Sequence, residues 1–188
     1  MVQLEHGSAL TYFYFDINDE SKQTENNLLS SLVLTFTAIS KRYALLNCLY
    51  KKYHQIHTPT NFDLLNLLKE LVIGCKKSYI VIDALDECAA HGKLFDVINV
   101  IHGWQISSFH LLVTSRSEQR IVAEMQNHSP QEIYISPDLI GNDIISYINF
   151  TIGNEHELNR WDPSTQVYIK ATLVNGANGM CVHSYCRN

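Results

Sequence analysis

Three acidic residues, Asp83, Asp86 and Glu87, follow directly after an apolar run at residues 78–82. Such a run is typical of a central parallel strand covered on both faces. In open α/β sheets, ligands bind beyond the carboxyl ends of the strands. A magnesium–nucleotide site needs one carboxylate for the metal and another that orients the attacking water. The segment therefore has the pattern of a Walker B motif, with carboxylates available both for the metal and for the water.

Three neighbouring carboxylates repel one another and lose hydration where they converge, so we expect a cation or a reacting water to relieve that cost. The alternative is a strand followed by the acidic first turn of a helix, where the helix dipole favours carboxylates. The Asp-Ala-Leu-Asp-Glu spacing after four apolar residues favours the Walker B interpretation.

A second polar group, Thr114, Ser115 and Arg116, follows the apolar run at residues 109–113. At the carboxyl end of a strand these groups can contact a γ-phosphate by hydrogen bond and charge, which makes Thr114 and Arg116 candidate nucleotide-binding residues. The alternative is a polar turn whose serines cap the next helix. The run at 109–113 lies one helix after the run at 78–82, which fits an adjacent strand of the same sheet.

A phosphate-binding Walker A loop is absent from the sequence. Such a loop needs Gly-x-x-x-x-Gly-Lys-Ser/Thr between a strand and a helix, so that backbone N–H groups and the lysine hold the phosphates. The one Gly-Lys pair is Gly92-Lys93, with Glu87 where the first glycine belongs and Leu94 where a hydroxyl is needed.

Alternating strand and helix patterns position these groups and predict an α/β fold with a parallel sheet. Thr60 and Gly74 are the predicted caps of the clearest helix. The predicted strands are 9–15, 78–82, 109–113 and 132–135, and the predicted helices are 23–39, 40–54, 60–74, 92–104, 118–126, 142–152 and 163–174.

Four stretches together resemble the NACHT domain of fungal NLR-like STAND NTPases, the group described as nephrocystin-3-like N-terminal domains. They are residues 12–16, 79–88, 110–116 and 177–180. The resemblance runs over nearly the whole chain, and the Asp-Ala-Leu-Asp-Glu-Cys and Leu-Val-Thr-Ser-Arg segments are its most specific parts.

The resemblance implies a three-layer parallel sheet of the P-loop NTPase type, with a partial NACHT core over residues 1–136 and a helical segment over 137–188. It assigns Asp83 as the magnesium ligand, Asp86 and Glu87 as the pair that positions water, and Arg116 as the sensor arginine. In this family the Walker A loop precedes the strand at 9–15, where the sequence has eight residues. We therefore expect the first strand and its loop to be missing.

The implied function is a signal-transduction NTPase whose switch binds Mg²⁺ and ATP or GTP. Because no Walker A loop is present, we expect this chain to bind nucleotide weakly or not at all and to be impaired as an enzyme. The alternative is a non-catalytic interaction module that associates with other NACHT chains through an exposed sheet edge. A dehalogenase-like phosphatase is disfavoured, since its second acid should follow Asp83 by two residues and Asp86 follows by three.

The composition argues against several kinds of partner and location. The net charge is −5 and no basic stripe exists, so nucleic acid is not an expected partner. No secretory leader or membrane-length apolar run is visible, and the five cysteines lack CxxC spacing, which favours a cytoplasmic chain with reduced thiols. Cys181, His183 and Cys186 offer three of the four ligands that a structural zinc site needs, so we interpret them as a helix end.

Overall fold

The computed structural model describes residues 5–53, 58–128, 131–133, 137–155 and 158–177. The chain divides into two compact units, Met1–Pro130 and Gln131–Asn188. The first unit holds every residue of the candidate site.

The first unit contains a three-stranded parallel sheet in the order β1–β2–β3. Its strands are β1 (Ser8–Tyr14), β2 (Lys77–Asp83) and β3 (Phe109–Val113). Its helices are α1 (Glu25–Ser40), α2 (Tyr43–Tyr53), α3 (Asn61–Ile73), α4 (His91–His102) and α5 (Gln119–Gln126). The predicted α/β class with a parallel sheet is therefore confirmed, and all three predicted strands of this unit form within one residue of their expected ends.

Local sequence signals explain several helix boundaries. The Thr60 side chain accepts a hydrogen bond from the backbone N–H of Asp63, and Gly74 closes α3, as predicted. Helix α1 begins after Thr24, whose side chain accepts from the N–H of Asn27. It ends where Lys41 adopts a left-handed conformation at φ 56°, so α2 starts three residues later than the predicted position 40.

The core lies between one face of the sheet and the helices. The buried strand residues alternate and share a face through the parallel register, in which Thr11 pairs with Ile80 and Phe13 with Ile82. Leu68 and Leu71 of α3 and Ile98 of α4 belong to the same fully apolar cluster. Burial of this alternate set explains why the strand segments are rich in apolar and β-branched residues.

The opposite face of the sheet is partly exposed, and a third layer over it stays a prediction. On that face Tyr12 of β1 is 68% exposed and Leu112 of β3 is 54% exposed. Strand β2 is central, but only its Ser78, Ile80 and Ile82 face is fully buried. Within the first unit, helices α1, α3 and α4 contact one another and pack against the buried face.

The second unit contains helix α6 (Pro137–Asn154) and helix α7 (Pro163–Ala177). Its apolar contacts join Ile148 and Ile152 to Ile169 and Leu173. Helix α6 starts five residues before the predicted position 142, because Pro137 is tolerated in the first turn of a helix, where its missing N–H costs nothing. The strand predicted at 132–135 lies partly outside the described residues, and residues 131–133 have no regular structure.

Candidate functional site

Strands β2 and β3 deliver the predicted polar residues to one edge of the sheet. Asp83 is the last residue of β2, and Thr114 follows β3 directly. The backbone N–H of Thr114 donates to the carbonyl of Ile82 at 2.9 Å, which extends the pairing to the end of both strands. Asp83 thus lies at the carboxyl-terminal rim of the sheet, as the sequence predicts.

Asp83 and Thr114 form a direct pair. The Thr114 hydroxyl donates to Oδ1 of Asp83 and accepts from the backbone N–H of Ala84 at 3.1 Å. Both residues are exposed. The threonine therefore fixes one carboxylate oxygen of Asp83 while the carboxylate group stays accessible to solvent.

Ala84 reverses the chain between Asp83 and the acidic pair. Its backbone is left-handed, at φ 56° and ψ 53°, a conformation that disfavours residues with a Cβ atom. The next residue, Leu85, is fully buried, and its N–H donates to the Thr114 carbonyl at 3.0 Å. The burial of Leu85 and this hydrogen bond hold the turn in place.

Asp86 is bound to the segment that follows β3. Its Oδ1 accepts the backbone N–H of Arg116 at 3.0 Å and the hydroxyl of Ser115 at 3.3 Å. Its Oδ2 lies 3.2 Å from Nε of Arg116, and the Asp86 side chain is only 5% exposed. Asp86 is therefore a buried anchor for the segment that carries the predicted sensor arginine.

Glu87 links two different segments. Its Oε2 accepts the backbone N–H of Ile17 at 3.0 Å, and its Oε1 lies 3.4 Å from Nη2 of Arg116. Its side chain is 26% exposed. Arg116 thus contacts both members of the acidic pair, while 61% of its own side chain remains exposed.

Protein groups contact all three acids, and relief of their repulsion by a cation or a reacting water stays a prediction. Asp83 is paired with a hydroxyl, and Asp86 and Glu87 are paired with Arg116 and with backbone N–H groups. Protein donors therefore compensate the acids in this arrangement. Their assignment to water, metal and phosphate remains a prediction.

The loop after β1 is the part of the site that sequence reasoning did not identify. Besides the Ile17 N–H, the carbonyl of Gln23 accepts the N–H of Ala89 at 2.9 Å and the thiol of Cys88 at 3.5 Å. These are mostly backbone groups, so residue type gives no signal for them. Cys88 itself is buried, and burial raises the pKa of its thiol.

Other candidate residues fall outside this site. Within the described residues, no group of three or more metal-binding side chains is close enough to hold an ion. The suggested zinc ligands Cys181, His183 and Cys186, and the family-like residues 178–180, lie outside the described residues. No helix in the described ranges has the length and apolar character to cross a bilayer.

The fold and the site define an α/β protein with a parallel sheet and an acidic cluster at the carboxyl ends of its strands. A family model described as nephrocystin 3, N-terminal, matches residues 2–116. The chain therefore belongs to the nephrocystin 3 N-terminal family. The match spans β1, β2, β3 and the segment through Arg116, which are the elements that build the site. Neither the curated proteins nor the solved structures include a match to this chain.

Proposed function

We propose that the chain is part of a NACHT-type, P-loop-related signalling NTPase of the cytoplasm, in which the site at the β2–β3 rim contacts a magnesium nucleotide. The observation that carries the proposal is the pairing of Asp83 with Thr114 at the carboxyl ends of adjacent parallel strands. Ligands of open α/β sheets bind beyond such ends. The fungal NLR-like relationship belongs to the same proposal and rests on the resemblance of the motifs.

The donor set at Asp83 fits magnesium. Mg²⁺ takes oxygen ligands, and at phosphate sites it is held by one or two carboxylates together with the substrate's phosphates and water. Asp83 supplies an exposed carboxylate, and Thr114 supplies a hydroxyl that fixes its orientation. When bound, the ion would neutralise phosphate charge. Asp83 would hold it, and Thr114 would keep the carboxylate aligned.

Arg116 is the group that we propose to contact the terminal phosphate of ATP or GTP. Its guanidinium is held by Asp86 and Glu87, but most of its side chain is exposed, so it can exchange a carboxylate for a phosphate. That exchange would free carboxylate oxygens to orient water. Of the two acids, the more exposed Glu87 suits this role better, because the Asp86 oxygens also hold the backbone of Arg116 and Ser115.

Binding by residues 1–188 alone should be weak. A Walker A loop supplies most of the contacts to the phosphates, and the sequence contains no such pattern. A single accessible carboxylate and one arginine leave a small binding energy after the cost of association. We therefore propose a dissociation constant of about 1 mM or weaker for Mg-ATP or Mg-GTP, near −4 kcal/mol.

Paramagnetic broadening in NMR spectra can detect such weak binding. At about 5 mM Mn-ATP, a site with a dissociation constant near 1 mM would be mostly filled. Mn²⁺ held at Asp83 should broaden the amide signals of Ala84, Leu85 and Thr114 more than those of α3. Asp83→Asn should remove the effect.

The matched control is Asp96→Asn, which removes the same charge from an exposed position on α4. It should leave the broadening at the rim unchanged. The proposal is wrong if wild-type protein shows no selective broadening, or if Asp83→Asn and Asp96→Asn reduce it equally.

A second candidate function is a non-catalytic interaction module. The favouring observation is the open sheet face together with β3, which pairs with β2 alone among the described strands. Edge strands and exposed apolar patches mark sites of association. Size-exclusion chromatography with light scattering would show concentration-dependent self-association. A monodisperse monomer at all concentrations, with and without nucleotide, would exclude this candidate.

A further inference from the structure

A groove of about 370 Å³ lies between β1 and α1. We call it the β1 groove. One wall is formed by Tyr12 and Tyr14 of β1, and the other by Asn27, Ser31 and Thr35 of α1, with Lys22 at one end. None of these residues belongs to the acidic site.

The backbone of β1 leaves hydrogen-bonding groups at this edge. Gly7 accepts from Lys76 and Phe15 donates to Asp83, so the odd-numbered residues direct their backbone groups toward β2. In a parallel pair, alternate residues point to opposite sides. The N–H and C=O groups of Leu10, Tyr12 and Tyr14 therefore point away from β2, and in the described part of the chain no strand pairs with them.

The α1 wall is polar and regularly spaced. Asn27, Ser31 and Thr35 follow one another at four-residue intervals, which places them along one side of the helix. Their hydrogen-bonding capacity is only partly used. The Thr35 hydroxyl donates to the Ser31 carbonyl at 2.9 Å, and the Asn27 amide N–H donates to the Glu20 carbonyl at 3.3 Å. Acceptor oxygens on Asn27 and Thr35 remain, as does the Ser31 hydroxyl.

Charge at the groove disfavours a charged occupant. Lys22 forms an ion pair with Asp19 at 3.2 Å and also donates to the Tyr14 hydroxyl. Glu20 lies beside this pair in the sequence. The charge of Lys22 is thus balanced by Asp19, so we do not expect it to attract a carboxylate of a bound molecule.

We propose that the β1 groove binds an extended, uncharged peptide segment of a partner protein, which adds a strand to the free edge of β1. The segment would place small hydroxyl or amide side chains toward Asn27, Ser31 and Thr35. It would place apolar or aromatic side chains on the open face beside Tyr12 and Tyr14. About five residues suffice to pair with Leu10 through Tyr14, since a strand rises about 3.3 Å per residue. Backbone pairing supplies affinity and the alternating side chains supply selectivity.

A designed peptide tests this directly. The probe is an acetylated, amidated Ser-Thr-Tyr-Thr-Tyr-Thr-Lys sequence whose lysine amine carries an uncharged fluorophore, and binding is followed by fluorescence anisotropy. Two further peptides carry N-methyl groups on either the threonines or the tyrosines. Because only one alternate set of N–H groups faces β1, one methylated peptide should bind about tenfold more weakly and the other about as well as the parent.

The protein variants Ser31→Phe and Ser30→Phe form a matched pair. Both add the same side chain to adjacent partly buried positions of α1, but only Ser31 lines the groove. Ser31→Phe should weaken binding by about tenfold or more and Ser30→Phe by less than about twofold, with circular dichroism confirming the fold of each. The proposal is overturned if the parent peptide does not bind wild-type protein, or if both methylated peptides bind equally. It is also overturned if folded Ser31→Phe binds as well as Ser30→Phe.

Discussion

Replacing Asp86 with alanine should destabilise the first unit by about 2 to 3 kcal/mol. The charge-assisted hydrogen bond from the Arg116 backbone contributes about 1.5 kcal/mol or more, and the Ser115 bond at 3.3 Å adds little. The ion pair adds at most about 1 kcal/mol, because the Arg116 side chain is 61% exposed. Asp86→Asn keeps an acceptor oxygen but loses the charge, so its effect should be about half.

Urea unfolding followed by tryptophan fluorescence measures this change. A Trp161→Phe background leaves Trp104, whose ring lies 5.8 Å from that of Phe109 in the first unit, as the reporter. Asp96→Ala is the control and should change stability by less than about 0.5 kcal/mol, as an exposed substitution does. If Asp86→Ala is no more destabilising than Asp96→Ala, Asp86 is not the anchor of the Arg116 segment.

Three further predictions concern single residues. Ala84→Gly should raise the free energy of unfolding by about 0.5 to 1 kcal/mol, since glycine adopts the left-handed φ of 56° without a Cβ clash, and Ala84→Val should lower it in the same urea assay. Burial raises the pKa of the Cys88 thiol in the folded state. The free energy of unfolding should therefore fall as the pH rises above about 8.5, because the thiol then ionises more readily in the unfolded chain than in the folded one. Mass spectrometry should accordingly find that iodoacetamide labels Cys88 much more slowly than exposed Cys48, and equal labelling would contradict the prediction. The Cys88→Ala variant should lose less stability at alkaline pH than the wild-type protein. Hydrogen bonds from Lys52, Thr60 and Tyr53 lower the pKa of Asp63 in the folded state. The ionised carboxylate therefore stabilises the fold at pH values above its usual pKa near 3.9, and this stabilisation is lost only in stronger acid. NMR titration should show its carboxyl group ionised at pH 3, and a midpoint near 3.9 would contradict the prediction.

The elements that local rules govern were predictable from the sequence. Helix α3 has a threonine cap, an apolar stripe and a closing glycine, and these fix its bounds without reference to the rest of the molecule. The start of α6 was wrong because Pro137 is compatible both with a break and with the first turn of a helix. Local pattern alone does not separate these two cases.

Burial depended on neighbours that the sequence pattern does not reveal. The apolar runs of β2 and β3 resemble strands covered on both faces, yet Leu112 is largely exposed. An apolar run shows that a strand can be buried, whereas the covering of each face depends on the placement of the helices. The predicted bounds of β3 were correct, but the predicted burial of its side chains was too high.

The position of the acidic site was predictable for a different reason. Parallel strands place their carboxyl ends at one edge, so acids after β2 and hydroxyls after β3 must lie close together. Their partners were not predictable, because the N–H groups of Ile17 and Arg116 carry no residue-type signal. The contact between Glu87 and Ile17 joins residues seventy positions apart in the sequence.

The pairing of Arg116 changes how the acidic motif should be interpreted. An acid that serves a reacting water needs a free oxygen, but here both members of the pair bind the arginine that would contact the phosphate. These contacts stabilise the rim without a ligand, and they must rearrange before the same residues can act on one. A ligand can drive that rearrangement only if it binds the rearranged state more tightly. We propose that the exchange of Arg116 from the two carboxylates to a phosphate provides such a difference, because one phosphate can accept two parallel hydrogen bonds from the guanidinium, whereas Asp86 and Glu87 each contact a single guanidinium nitrogen.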